Sequence, residues 1–114
     1  MRHDVRQCER YPVWGMAALI GSDKSLLGQV ANISGTGIGL SLNYEREASG
    51  SLRNTLLCRV VSPDFPDTLE FLVKVVRKHV SSRGYDLGCA IAAINEKDLA
   101  MLEAFQQRRQ ANLH

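Results

Sequence analysis

At 114 residues, with 45% hydrophobic and 23% charged residues, the chain has the makeup of one soluble globular domain, too short for a second core and too apolar for wholesale disorder. A net charge of +2 is too small to announce nucleic-acid binding, and no apolar run approaches the roughly 18 residues that a membrane helix needs. The opening Met1-Arg2-His3-Asp4-Val5-Arg6 lacks the apolar stretch of a secretory signal, so a cytoplasmic protein with no membrane insertion is expected.

Residues 1–11 carry Arg2, Arg6 and Arg10 against only Asp4 and Glu9, a phosphate-attracting cluster expected to be a flexible segment when empty. The apolar run 12–20 is of strand length, and Gly21-Ser22-Asp23 breaks it. A second strand is expected over 26–33, followed by the turn Ser34-Gly35-Thr36. Over 37–42, Ile38, Leu40 and Leu42 alternate with Gly37, Gly39 and Ser41, which predicts a strand with small residues outward. Residues 43–51 lack a clear period and read as a surface connection.

Further strands are predicted at 55–61, at 69–76 from the alternation of Leu69, Phe71, Val73 and Val75, and at 85–91 from Tyr85, Leu87, Cys89 and Ile91. Ser62-Pro63-Asp64, Pro66-Asp67 and Ser81-Ser82-Arg83-Gly84 supply the turns between them. After Asn95 the period changes: Leu99, Leu102 and Phe105 recur at helical spacing. Asn95 suits an N-cap, Glu96 and Asp98 the first turn, and Arg108 and Arg109 the last, so an amphipathic helix within 95–110 is expected to pack its apolar stripe on the sheet. Six strands and one terminal helix argue for a small antiparallel barrel over 12–92, because closure removes unprotected edges.

Cys8, Cys58 and Cys89 are odd in number and far apart, with no histidine at zinc-site spacing. Cys58 and Cys89 fall within apolar strands and read as buried hydrophobes. His3, His79 and His114 have no evident nucleophile partner, and the scattered carboxylates suggest no acid/base pair, so no catalytic residues and no metal site are expected.

The informative pattern is Arg6-Gln7-Cys8-Glu9-Arg10, then Tyr11-Pro12-Val13, then Asn32-Ile33-Ser34-Gly35-Thr36-Gly37. It resembles the signature of the PilZ domain, R-x-x-x-R followed by a short strand and [D/N]-x-S-x-x-G. Val75-Val76-Arg77, Asp86-Leu87-Gly88-Cys89-Ala90-Ile91 and the closing helix also look like that family, so the resemblance covers nearly the whole chain. It implies an all-β fold, a six-stranded antiparallel PilZ-type barrel with a C-terminal helix, acting as a bacterial receptor for the second messenger cyclic di-GMP. The implied ligand-binding residues are Arg6, Arg10, Asn32, Ser34 and Gly37, with Arg2 as a further phosphate contact. No cofactor is implied beyond the ligand itself.

The residue types suit that ligand. Arginine presents a planar fork matching both the O6/N7 edge of guanine and phosphate oxygens, and it stacks on purines. The amide oxygen of Asn32 can accept from guanine N1–H or its exocyclic amine. In a strand, residues two apart share a side, so Asn32 and Ser34 are expected to face the ligand while Ile33 turns to the core. Gly37 fits a tight bend or a close backbone approach where a Cβ would clash. Alanine at Arg6, Arg10 or Ser34 is then expected to weaken binding while leaving the fold nearly as stable. One ligand molecule or a stacked pair satisfies the same arginines.

The expected output is an N-terminal arginine segment that orders on the ligand and signals to a protein partner, in motility, biofilm, exopolysaccharide or virulence control. The alternative within the same fold is a protein-interaction adapter that binds no nucleotide. A single-strand-binding barrel of the OB type would need exposed aromatic platforms, and only 6% of the residues are aromatic. The Gly35-x-Gly37-x-Gly39 spacing superficially matches a dinucleotide loop, but a strand rather than a helix is expected after it.

Overall fold

Alternating apolar residues in the computed structural model, which describes residues 10–22, 25–43 and 55–112, all turn into one interior. The strands are β1 (Tyr11–Pro12), β2 (Met16–Ile20), β3 (Ser25–Ile33), β4 (Gly37–Asn43), β5 (Leu56–Val61), β6 (Leu69–Val80) and β7 (Gly84–Ala93), followed by helix α1 (Glu96–Asn112). Every pairing is antiparallel: β2 lies between β3 and β5, β6 between β5 and β7, and β4 between β7 and β3. The β3–β4 pairing closes the ring, so six strands form the barrel as the patterning predicts. The two-residue β1 is an addition, pairing Tyr11 with Ile33 and Pro12 with Asn32 on β3. Pro12 has no N–H to give a ladder, which suits this short edge position. The predicted surface connection at 43–51 falls almost wholly outside the described residues.

The interior is filled from every wall by Leu19, Val30, Ile33, Ile38, Leu40, Cys58, Val60, Phe71, Val73, Leu87 and Cys89. One end is plugged by α1, whose Leu102 and Phe105 are fully buried. Phe105 meets the Tyr11 ring edge-on at 6.1 Å and the Phe65 ring at 5.0 Å. The apolar stripe of the helix is thus spent on the barrel. Asn95 caps the helix by accepting from the Asp98 N–H at 2.8 Å. The buried Asp98 carboxylate in turn accepts from the Glu70 N–H at 3.1 Å, tying the first turn to β6.

The predicted first strand, 12–20, is broken at 13–15. A Cβ on Gly15 would lie 2.6 Å from the Val61 carbonyl oxygen, so the chain turns against β5 there, where only glycine fits. Trp14, expected within an apolar strand, consequently stands outside and is 77% exposed. Its neighbours on the outer wall, Met16 and its cross-strand partner Val61, are exposed as well.

Three bulges break the alternation, one of them at Ala92 on β7, between the pairs Leu72–Ala93 and Val73–Ile91. On β3, Val30 pairs with Leu40 but Asn32 pairs with the adjacent Gly39, leaving Ala31 as the extra residue. On β6, Val75 pairs with Cys89 and Arg77 with Gly88, leaving Val76 extra. A bulge reverses which way the following side chains point.

Cys58 and Cys89 are buried free thiols, as expected from their strands. Burial, reinforced by the neighbouring Cys89, pushes the Cys58 thiol from 9.0 up to about 12; burial pushes Cys89 up to about 11. A thiol that ionises later in the folded chain binds more protons there than in the unfolded chain above pH 9, so stability must fall with rising pH in that window. Denaturant unfolding from pH 8 to 11 is expected to show a loss on the order of 2 kcal/mol attributable to Cys58. Cys58→Ala, which removes the ionisable proton, is expected to flatten that part of the slope.

Candidate functional site

The motif residues gather where β1, β3 and β4 meet. Because β1 pairs at Ile33 and Asn32, Arg10 is delivered beside Asn32, and its Nη1 donates to Asn32 Oδ1 at 3.2 Å. The guanidinium at the end of the arginine segment and the amide of the second motif are therefore in contact, although 22 residues separate them in the chain. Arg2 and Arg6 lie outside the described residues.

The bulge at Ala31 makes this contact possible. Val30 points inward, and strict alternation would send Asn32 inward after it and Ile33 outward. With Ala31 inserted, Ile33 is fully buried and Asn32 lies half-buried on the outer wall. The amide then lies over Gly39, where a Cβ would stand 2.9 Å from Asn32 Oδ1. Glycine on β4 gives the Asn32 side chain its resting place.

Ser34 does not share the outward face of Asn32. It lies past the end of β3, is 2% exposed, and its hydroxyl is engaged within the β3–β4 turn. Ser34 Oγ accepts from the N–H groups of Thr36 at 3.2 Å and Gly37 at 3.1 Å, and lies 3.3 Å from Thr36 Oγ1 and 3.4 Å from the Gly37 carbonyl oxygen. The Ser34 N–H itself donates to the Gly37 carbonyl oxygen at 2.9 Å. In this arrangement the hydroxyl serves the turn, pairing two of its backbone donors, of which the Gly37 N–H is buried.

Gly37 is a site of close backbone approach, as its place in the motif suggests. The backbone that approaches is β7: a Cβ on Gly37 would lie 2.6 Å from the Cys89 carbonyl oxygen. The Ile91 N–H donates to the Thr36 carbonyl oxygen at 2.9 Å, fixing the turn against the same strand. Helix α1 reaches this corner too. Arg109 Nη2 donates to the Pro12 carbonyl oxygen at 3.0 Å, and a Cβ on Gly35 would be 3.3 Å from Gln106 Nε2. The helix thus touches both the strand that carries Arg10 and the turn that follows Asn32.

The outer wall beside Asn32 is built of glycines buried beneath the side chains of their neighbours. Gly39 pairs with Gly88 on β7, so two strands side by side carry no side chain there. One row nearer the turn, Gly37 pairs with Ala90. Neither the bulges nor this cross-strand glycine pair announces itself in the sequence, because both depend on register. The arrangement sets a guanidinium and an amide beside a strip of glycine backbone, groups suited to a ligand with hydrogen-bonding edges and negative charge. Among the described residues no cluster of His, Cys, Asp and Glu is arranged to hold a metal ion, and no helix is long and apolar enough to cross a membrane.

The PilZ domain family profile matches residues 4–107. The fold resembles that of the inhibitor of motility MotI/DgrA of Bacillus subtilis, with a TM-score of 0.74 and 20% identity over 94% of this chain and 52% of that one. It also resembles YcgR from Escherichia coli, solved in complex with c-di-GMP, with a TM-score of 0.68 and 13% identity over 94% of this chain and 47% of that one. The isolated PilZ domain of YcgR with c-di-GMP aligns at a TM-score of 0.58 and 14% identity, covering 93% of both chains. The chain therefore spans about half the length of the first two structures. A search of curated proteins finds no match.

The role of Ser34 in the turn predicts a cost to the empty protein, in contrast to the ligand-only effect expected from the motif. Ser34→Ala is expected to lower unfolding free energy by about 1–2 kcal/mol without any ligand present, as measured by urea titration. An unchanged midpoint would contradict this role.

Proposed function

Since the chain belongs to the PilZ domain family, we propose that it is a cyclic di-GMP receptor whose ligand docks on the outer barrel wall around Arg10 and Asn32. The contact between Arg10 Nη1 and Asn32 Oδ1 carries this reading. It brings the two halves of the motif together on an accessible surface, and each group satisfies the other until a ligand takes over both. The Asn32 amide oxygen accepts from guanine N1–H or N2–H, and Arg10 turns its fork to a phosphate or a purine edge. Arg6, the other arginine of the motif, supplies a further contact, and Arg2, outside the motif, adds one to phosphate. The fold's likeness to a protein solved with c-di-GMP supports the same reading.

Ligand binding orders the arginine segment ahead of Tyr11, and a downstream protein partner reads the new surface. The base of that segment already touches α1 through the Tyr11–Phe105 ring pair and the bond from Arg109 to Pro12, so the helix is positioned to register the change. A second reading, an adapter that uses no nucleotide, draws on the exposed Trp14, Met16 and Val61 of the outer wall. Partner capture indifferent to added cyclic di-GMP would favour it.

Calorimetric titration with cyclic di-GMP tests the receptor reading directly. Binding is expected for the wild type, and Arg10→Ala and Asn32→Ala are each expected to weaken it by roughly ten- to a hundredfold, the weight of a charge-assisted hydrogen bond. Absence of heat from the wild type at tens of micromolar ligand would end the proposal.

A further inference from the structure

The glycine strip beside Asn32 has a second wall. Asn32 pairs with Gly39, Gly39 with Gly88, and Gly88 with Arg77, so these four residues form one continuous row across β3, β4, β7 and β6. A Cβ on Gly88 would meet Arg77 Cβ, Nε and Nη2, each at 3.4 Å, which puts the arginine on the outer face with its guanidinium folded over the glycine. The row is symmetrical in construction. Each end residue follows a bulge, Ala31 before Asn32 and Val76 before Arg77. Without its bulge, Arg77 would follow Val75 inward; with it, the guanidinium faces the same strip as the Asn32 amide. Bulges of this kind re-aim side chains beside functional sites.

We propose that Gly39 and Gly88 form the floor for one guanine of the ligand, and that Arg77 reads its O6/N7 edge while Asn32 reads the opposite edge. The inference rests on the receptor reading above and extends it to a residue outside the two sequence motifs. Guanine has donors at N1 and N2 on one edge and acceptors at O6 and N7 on the other. Asn32 Oδ1 can accept from the first edge. The second then points across the floor toward β6, where a fork of N–H donors is the matching group. Three strand spacings separate the two walls, roughly 14 Å of backbone distance, which leaves room for a purine between an asparagine and an extended arginine. The two glycines let the ring approach the backbone, where any Cβ would lift it. The Asn32 and Arg77 side chains lie over the glycines, and both swing off them to admit the ring.

Titration of cyclic di-GMP into Arg77→Ala, Arg77→Lys, Gly88→Ala and wild type tests the assignment, with Arg83→Ala as a charge-matched control on the exposed β6–β7 turn. Arg77→Ala is expected to weaken binding on the order of tenfold to a hundredfold, with an unchanged melt, because the side chain is exposed. Arg77→Lys is expected to stay weak, since it keeps the charge but loses the fork. Gly88→Ala is expected to fold, because its Cβ makes only ordinary contact with Arg77, and to bind less tightly. Wild-type affinity in Arg77→Ala, full rescue by lysine, or an equal loss in Arg83→Ala would overturn the assignment while leaving the receptor reading intact. A wild type that binds no ligand would remove both.

Discussion

Alternation is the constraint on which the site depends. A barrel strand sends every second side chain into the core, so a polar group can appear outside only in the right phase. On β3 the phase set by Val30 would bury Asn32 and expose Ile33. One extra residue, Ala31, resets it at the position where the two motifs must meet. The core keeps Ile33, the surface gains an amide, and β1 can then set Arg10 against that amide. Closure of the barrel by β3 and β4 runs through the same bulge, so the geometry that completes the fold also presents the site.

The turn after β3 illustrates how a motif serves two purposes at once. Asn32 is directed outward and is available to a ligand. Ser34, two positions on, is withdrawn and holds backbone N–H groups, while Gly37 permits β7 to pack against the turn. The spacing Asn-x-Ser-x-x-Gly is thus partly a specification for the support beneath the site. A rigid turn fixes the start of β4, and with it Gly39 beneath the Asn32 side chain.

Much of this was legible from residue order. The strands over Leu69, Phe71 and Val73, over Leu87 and Cys89, and over Ile38, Leu40 and Leu42 follow from period two, and the buried thiols follow from those strands. The Asn95 cap and the inward stripe of Leu102 and Phe105 follow from helical spacing. The juxtaposition of Arg10 and Asn32 followed from family resemblance, since no local pattern links positions so far apart. Three things were not legible. Local hydrophobicity puts Trp14 inside a strand, whereas the break there is set by Gly15 meeting Val61 from β5. Alternation points Ser34 outward only if β3 continues past Ile33, and it does not. The bulges at Ala31 and Val76 leave no mark in composition, because each is a property of two strands in register.

The seat of helix α1 carries a consequence for how the molecule communicates. Tyr11 leans on Phe105 and the Pro12 carbonyl is held by Arg109, so the short strand bearing Arg10 belongs as much to the helix as to the barrel. Where two binding events share one structural element, their free energies are linked, and the linkage has no preferred direction. A protein that gripped α1 and tilted it would loosen the hold on the nucleotide, and the nucleotide would resist that protein by the same factor. In the receptor role proposed above, the protein would report the messenger's concentration and its own engagement through a single equilibrium.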